Sequence, residues 1–438
     1  MTPPLLPGFR TVPRTGVIYV SHRAMECGFT TGDSTWANLG QGAPETGMLP
    51  GGIARIDHID LEDSEHEYTP IAGLRELREA VAHLYNTLYR SGKSSKYTAE
   101  NVAISGGGRL ALARVAASLS DVNMGHFIPD YTAYEELLTM FKAFTPIPIL
   151  LSEERGYRIS PAELKQEILG RGLSAILLSN PTNPTGQHVR GAELAAWTEI
   201  ARECETTLIV DEFYSHYVYD ALPTETTHGM VSAAAHIDDV ESDPVVIIDG
   251  LTKNWRYPGW RISWTLGPKS VIESLASAGS FLDGGAPHPL QRATVPLLDP
   301  ALVVQDCASL QRHFHKKRDY VLSRLQALGI RVPHPPRGSF YCWADLSALP
   351  APLNDGMAFF EAGLRERVIT VPGMFFDVNP GKRRKHSRYE HACRLSFGPD
   401  LPTLERGLDA IARIVTAAKD GTSNRQEESP LDLAVVHQ

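Results

Sequence analysis

The sequence predicts an α/β fold in which a large domain holds a mostly parallel sheet between helices, joined to a smaller α+β domain. Two observations predict it. Short, almost continuously apolar segments alternate with helical segments, which is typical of parallel strands that are buried on both faces. In addition, residues with ligand-binding side chains directly follow several apolar segments, as expected at the carboxyl ends of strands in an open α/β sheet.

The elements of the large domain follow from the spacing of apolar residues. In residues 73–92, Leu and Val recur at three- and four-residue steps, so they share one face of a predicted helix. Four apolar segments are predicted strands, and they cover residues 102–104, 175–178, 207–210 and 245–248. The candidate ligand-binding residues that follow these strands are Gly106, Asn180, Asn183, Asp211 and Lys253.

The pattern changes from about residue 310. A long amphipathic helix is predicted over 309–329, strands over 340–343 and 392–397, and a helix over 404–418. The chain of 438 residues suits two domains. We expect residues 16–60 and 311–418 to form the small domain and 61–310 the large one, with an N-terminal arm over 1–15. Residues 419–438 are polar for most of their length and are expected to be a disordered tail.

Composition excludes several classes of protein. The formal charge of -9 argues against a nucleic-acid-binding surface. The basic cluster at 382–388 has no aromatic residues between its basic ones, which favours a solvated loop over a phosphate-binding patch. No segment approaches the roughly 20 apolar residues that a membrane helix needs, and the proline-rich N-terminus does not resemble a signal peptide.

The cysteines indicate the compartment. There are five, scattered and without a CxxC pair, so free thiols are expected in place of a disulfide framework or a zinc site. We therefore expect a cytoplasmic protein without a bound metal.

Three residue types point to pyridoxal 5'-phosphate (PLP). A lysine such as Lys253 can form a Schiff base with an aldehyde, and an aspartate such as Asp211 can keep a pyridine nitrogen protonated. Arg261, eight residues after the lysine, can bind a phosphate through two N–H groups. Each residue also has an ordinary structural interpretation; Asp211, for example, suits the N-cap of a helix.

The order of the motifs resembles the class I/II aminotransferases, which are PLP enzymes of fold type I, over roughly residues 35–415. The matching motifs are NLGQGAPETGMLP, EYTPIAGLRELREAV, ISGGGRLAL, IPDYTAY, SNPTNPTG, DEFY, the lysine segment, a Pro-Gly pair at 372–373 and CRLSF. The resemblance implies the PLP-dependent transferase fold, with a mostly parallel sheet of the seven-stranded type.

The resemblance also implies roles at the cofactor ring. Lys253 is expected to form the Schiff base and then to move a proton between the substrate α-carbon and C4' of the cofactor. Asp211 is expected to bind the ring nitrogen, and Tyr214 and Asn183 the ring oxygen. Tyr131 matches the aromatic residue that stacks on the ring.

The phosphate and the substrate complete the implied site. Gly106, Gly107 and Gly108 precede a helix whose N-terminus suits an anion. The phosphate site is also expected to include Thr252 and Arg261 of the same chain, together with Tyr68 of a neighbouring subunit. The family often has a serine where this chain has Gly250. Arg394 is expected to bind the substrate carboxylate, together with Asn183 and Gly42.

We therefore expect an aminotransferase that acts on an α-amino acid and a 2-oxo acid, as a homodimer with shared active sites. Two alternatives within PLP chemistry are β-elimination with C–S cleavage and oxidative deamination, in specialised metabolism. Gly106-x-Gly108-x-x-Ala111 also fits a relaxed dinucleotide motif, but a nicotinamide dehydrogenase would leave Lys253 and Asp211 without a role. A non-catalytic, aminotransferase-like binding domain would be expected to lack the lysine.

Overall fold

The computed structural model of the chain describes residues 6–9, 14, 16–220 and 228–427. Its helices are α1 Gly16–Glu26, α2 Arg75–Leu88, α3 Gly108–Ser118, α4 Ala133–Met140, α5 Pro161–Arg171, α6 Gly191–Glu203, α7 Lys269–Leu282, α8 His288–Thr294, α9 Pro300–Leu328, α10 Gly356–Arg365 and α11 Leu401–Glu427. Its strands are β1 Ala37–Asn38, β2 Val102–Ser105, β3 Asn123–Ile128, β4 Thr145–Leu150, β5 Leu173–Ser179, β6 Thr207–Asp211, β7 Val245–Gly250, β8 Ser263–Leu266, β9 Tyr341–Asp345, β10 Val368–Ile369, β11 Val371–Pro372 and β12 Ala392–Ser396.

The large sheet has seven strands in the order β2-β8-β7-β6-β5-β3-β4. Only β8 runs antiparallel to its neighbours, β2 and β7, so the predicted mostly parallel sheet is confirmed. The apolar strands read from the sequence are β2, β5, β6 and β7. In β6, Ile209 packs into one core cluster, whereas Leu208 and Val210 pack into the other. Burial on both faces explains the continuous apolar pattern.

Three strands of this sheet were not predicted. β4 has the sequence TPIPIL, and it was not predicted as a strand because it contains two prolines. Proline cannot donate a hydrogen bond to a neighbouring strand, and it is tolerated here because β4 lies at the edge of the sheet. β3 includes a glycine and a histidine, and β8 is only four residues long.

The smaller sheet is antiparallel, with the order β11-β12-β9, and its side chains share a hydrophobic core cluster with α10, α11 and the C-terminal half of α9. The N-terminal segment joins this part of the molecule because β1 pairs with β10. α9 begins at Pro300, with the Asp299 carboxylate accepting from the backbone N–H groups of Ala301 and Leu302. The domain boundary expected between residues 310 and 311 therefore falls inside one helix.

The C-terminal expectation needs a correction. α11 continues to Glu427, so residues 419–427 are helical and not a disordered tail, while 428–438 lie outside the described residues. The amphipathic pattern of α11 ends before the helix does, which is why its last turns looked structureless. Most of the expected N-terminal arm also lies outside the described residues.

The basic cluster is partly neutralised by acidic neighbours. Lys382 contacts Glu135, and Arg384 contacts Asp377. The five cysteines are all free. No helix in the described ranges is long and apolar enough to cross a bilayer.

Candidate active site

A cavity of about 840 Å³ opens beyond the carboxyl ends of the central parallel strands. Its walls come from α1, α3, α4, the loops after β5, β6 and β7, and the strands β9 and β12. The predicted site residues that line it are Gly42, Gly108, Tyr131, Asn183, Asp211, Tyr214, Thr252, Lys253, Arg261 and Arg394. The structure therefore brings together, around one space, residues that are far apart in the sequence.

Lys253 lies in the loop after β7, half-buried in the cavity wall. Its Nζ donates a hydrogen bond to the carbonyl oxygen of Gly42. Burial lowers the pKa of the Lys253 amine to about 7, and the positive charges of Arg394, Arg261 and Arg109 add to the shift. Near neutral pH a large share of this amine is therefore uncharged and nucleophilic.

This lowered pKa predicts how the cofactor-free chain should react with PLP. The protonated amine cannot attack an aldehyde, so the rate of PLP capture should rise with pH through about 7 and level off by about pH 9. An ordinary lysine, with a pKa of about 10.4, would keep gaining reactivity above pH 9. The measurement is the growth of protein-bound PLP absorbance at each pH. N-acetyl-lysine in the same buffers corrects for the titration of PLP itself, and a rate that still climbs past pH 9 would contradict the prediction.

Asp211 ends β6 and is buried at the floor of the cavity. Its carboxylate accepts hydrogen bonds from the Tyr134 hydroxyl at 2.8 Å and from the backbone N–H of Phe213 at 3.3 Å. Burial raises the pKa of Asp211 to about 6, although the two hydrogen bonds and the nearby Lys253 oppose the shift. A positively charged ligand group beside this carboxylate would stabilise its ionised form.

The side chains of Tyr214 and Asn183 hydrogen-bond to different residues. The Tyr214 hydroxyl pairs with the Tyr341 hydroxyl at 2.8 Å, and burial raises the pKa of Tyr341 to about 12, so it stays neutral. The Oδ1 of Asn183 accepts from Nη1 of Arg394 at 2.9 Å. Both side chains line the cavity, next to Asp211 and Lys253.

Arg394 is 1% exposed, in the middle strand of the small sheet. Besides its bond to Asn183, it donates from Nη2 to the carbonyl oxygen of Gly40 at 2.6 Å. Its guanidinium carbon lies 4.2 Å from the ring centroid of Tyr341 and 4.9 Å from that of Phe376. It forms no ion pair with any carboxylate of the described residues, and a buried cation in that state is suited to an anionic ligand.

The glycine turn before α3 lies against Arg261. Gly107 has φ +96°, and a Cβ at this position would overlap the guanidinium of Arg261. The absence of a side chain therefore lets the turn and the arginine meet at the N-terminus of α3, where backbone N–H groups attract anions. Gly106 and Gly107 belong to this turn, although only Gly108 lines the cavity.

Close packing explains why Gly250 stands where the family often has a serine. Gly250 pairs with Ser263 across β7 and β8, and a Cβ on it would lie 2.6 Å from the carbonyl oxygen of Ile262. No side chain fits between the two strands. Thr252, two residues further along the chain, lines the cavity.

Gly250→Ser should therefore lower the free energy of unfolding by about 1–3 kcal/mol, the usual cost of adding atoms to a closely packed site. Urea unfolding measures the loss. Gly259→Ser is the matched control, because Gly259 lies in the loop between β7 and β8 and nothing lies within 4 Å of a Cβ at that glycine. Equal stabilities of the two variants would show that β7 and β8 separate easily to admit a side chain.

Tyr68 is not among the residues that line the cavity. Its side chain is 95% exposed in the single chain, and Phe281, near the end of α7, is 73% exposed.

Comparison with known proteins adds the family. The family model "Aminotransferase class I and II" matches residues 34–411. The chain belongs to this family. It is accordingly an enzyme of the class I/II aminotransferase type, and the predicted relationship is confirmed.

Several relatives carry specific names. An aspartate/prephenate aminotransferase of Cereibacter sphaeroides is 26% identical over 371 residues, which cover 81% of this chain and 88% of the relative. A probable N-succinyldiaminopimelate aminotransferase, DapC, of Mycobacterium tuberculosis is 28% identical over 396 residues, which cover 87% and 92%. At this identity the relatives support amino transfer but leave the substrate open.

Solved structures share the fold. Aspartate aminotransferase from Thermus thermophilus with maleate superposes with a TM-score of 0.73 at 23% identity, covering 93% of this chain and 100% of that one. An aminotransferase from Mycobacterium tuberculosis gives 0.74 at 23% identity, covering 93% and 97%. The fold of this aminotransferase is therefore that of its family.

Three cavity residues were missed by sequence reasoning. Tyr134 bonds Asp211, Tyr341 bonds Tyr214, and Arg109 donates to the hydroxyl of Tyr131 at 3.2 Å. Arg109 directly follows the glycine triplet, and that position was the available signal for it. α1 also lines the cavity, although its sequence has no motif that predicts this contact.

The residues present fit PLP. The cavity offers an amine of lowered pKa, a buried carboxylate and, at the N-terminus of a helix, a glycine turn in contact with a guanidinium. These groups match the aldehyde, the ring nitrogen and the phosphate. Over the described ranges, no group of three or more His, Cys, Asp or Glu side chains is arranged to hold a metal ion.

Proposed function

We propose that this enzyme binds PLP through Lys253 and transfers the amino group of an α-amino acid to a 2-oxo acid. The observation that carries the proposal is the meeting of Lys253, Asp211 and Arg394 in one cavity. The amine of lowered pKa suits an aldehyde, the buried carboxylate suits a ring N–H, and the buried arginine suits a carboxylate. Each of these groups serves a different part of the same reaction.

When bound, PLP would supply the electron sink that allows the substrate α-carbon to lose a proton. The chain supplies the remaining functions. Lys253, once free, acts as the base at the α-carbon and returns the proton as an acid, and a pKa near neutrality suits both tasks. Asp211 keeps the ring nitrogen protonated, with Tyr134 orienting its carboxylate. Tyr131 would stack on the ring, and Asn183 and Tyr214 would donate to the ring oxygen.

At the phosphate end, five groups converge in the proposal. The turn from Gly106 to Gly108 and the first N–H groups of α3 would hold phosphate oxygens, and Arg261 would add a charge-assisted pair. Thr252 supplies a hydroxyl. The nearly full exposure of Tyr68 supports its proposed role at the phosphate of a neighbouring subunit, and thus a homodimer with shared active sites.

At the substrate end, Arg394 binds the α-carboxylate, beside Gly42 and Asn183. Arg109 is a third arginine of the cavity, after Arg394 and Arg261, and its described side-chain hydrogen bond is to a phenol and not to a carboxylate. A second carboxylate on one of the two substrates would pair with it. Relatives named for aspartate support a dicarboxylic substrate.

A substrate panel tests the proposal. Acidic, aromatic and aliphatic amino acids are incubated with the PLP-loaded enzyme, with and without a 2-oxo acid, and amino acid, ammonia, thiol and peroxide are measured. New amino acid formed only with the acceptor supports amino transfer, and faster turnover of the acidic members supports the role of Arg109. Ammonia without an acceptor would indicate the eliminating or oxidising alternatives.

A further inference from the structure

Asn254, the residue after Lys253, is 1% exposed and uses both ends of its amide. Its Nδ2 donates to Oδ1 of Asp249 at 2.9 Å, to Oγ of Ser215 at 2.9 Å and to the carbonyl oxygen of Glu212 at 3.1 Å. Its Oδ1 accepts from the backbone N–H of His216 at 3.1 Å. One side chain therefore contacts four residues, one near the end of β7 and three in the turn after β6.

These two segments lead to the proposed cofactor contacts. Asp249 lies near the end of β7, just before the turn that presents Lys253. Glu212, Ser215 and His216 belong to the turn after β6, the same turn that presents Asp211 and Tyr214. The Asn254 amide thus joins the turn with the amine to the turn with the carboxylate. Hydrogen bonds of a buried amide hold such turns firmly, because breaking them leaves polar groups without water.

The surroundings of Asn254 keep it in place. Asp249 also accepts from the backbone N–H of Gly250 at 2.6 Å and from the Tyr85 hydroxyl at 3.2 Å. Burial raises the pKa of Asp249 well above its usual range, and it raises the pKa of Glu212 to about 8. No Lys or Arg side chain of the described residues forms an ion pair with Asp249, so hydrogen bonds determine its geometry.

We propose that Asn254 is a positioning residue, which sets the distance between the Lys253 amine and the Asp211–Tyr214 turn by hydrogen-bonding Asp249, Ser215 and His216. This inference rests on the proposed function. It assigns Asn254 no contact with substrate or cofactor. Its effect is exerted through the lysine, whose amine must remain aligned with a ring held from the other turn.

The test compares two buried asparagines in the PLP-loaded enzyme. Asn254→Ala should shift the pH midpoint at which the absorbance of lysine-bound PLP changes, and should slow the half-reaction with amino acid about 10–100-fold. The KM should change little. Asn101→Ala is the matched control, because Asn101 is equally buried and bonds Glu241 and the carbonyl of Gly267, far from the site. It should lose stability without moving the absorbance midpoint.

Ser215→Ala serves as the second variant if Asn254→Ala does not fold. It removes one acceptor of the Asn254 amide and should shift the midpoint in the same direction, by less. Midpoints identical to the parent enzyme in every variant at Asn254 and Ser215 would overturn the inference while leaving the proposed function intact. A parent enzyme without lysine-bound PLP would overturn both.

Discussion

Lys253→Ala is expected to lower amino transfer by at least about 10³-fold. The variant loses the amine that binds the cofactor and the group that moves the proton at the substrate α-carbon, and proton transfer by a positioned side chain alone contributes about 10²–10⁴-fold. The measurement is amino transfer with the best substrate of the panel. Borohydride reduction of the PLP-loaded parent, followed by peptide mapping, should place the label on the peptide that contains Lys253.

Lys317 provides the matched control. It is a second buried lysine, whose pKa is lowered to about 8 by burial although it contacts Glu45. Lys317 and Lys253 therefore both have a pKa that is lowered by burial, but Lys317 is not among the residues that line the cavity. Lys317→Gln should keep the label on Lys253 and most of the activity. A label that moves to Lys317 or another lysine in Lys253→Ala, with activity retained, would refute the assignment.

Arg394→Ala should separate substrate binding from cofactor binding. Removal of a charge-assisted pair in a buried site commonly costs about 2–5 kcal/mol, which should appear as weaker amino-acid binding and slower turnover. The spectrum of bound PLP should be unchanged, because the proposed arginine contact is with the substrate. Arg394→Lys should restore little, since an ammonium cannot replace the planar guanidinium that bonds Asn183 and Gly40.

Simple amines are the internal control for Arg394. They lack the carboxylate, so their reaction with bound PLP should be nearly the same in the parent and in both variants. Loss of bound PLP in Arg394→Ala, or an equal effect on amines and amino acids, would show that the arginine supports the structure of the small sheet and that the carboxylate binds elsewhere.

The core of the fold was predictable because burial imposes its own pattern. β5, β6 and β7 are covered on both faces, so their segments had to be continuously apolar. The edge strand β4 does not need to be continuously apolar, and its two prolines are not typical of a strand, so it was not predicted. The helix α11 extends past the end of its apolar pattern. Its C-terminal turns have no buried face, so no apolar periodicity indicated them.

The candidate site divides in the same way. Lys253, Asp211 and Arg394 could be selected because each has a chemically distinctive side chain directly after a strand or within one. Tyr134, Tyr341 and Arg109 were missed, because a residue type does not by itself reveal the partner of its side chain. This holds even though Tyr134 lies within IPDYTAY and Arg109 directly follows the glycine triplet. Whether they contribute depends on contacts across 77, 127 and 22 residues of sequence.

Residue types and their order were enough to predict the family, the class of chemistry and the principal candidate residues. The environment of each group depends on the folded chain. Folding lowers the pKa of Lys253, buries Arg394 without a carboxylate partner among the described residues, excludes a side chain at Gly250 and joins Asn254 to β7 and to the turn after β6. These properties arise from burial and close packing between distant segments, and local sequence does not encode such distances.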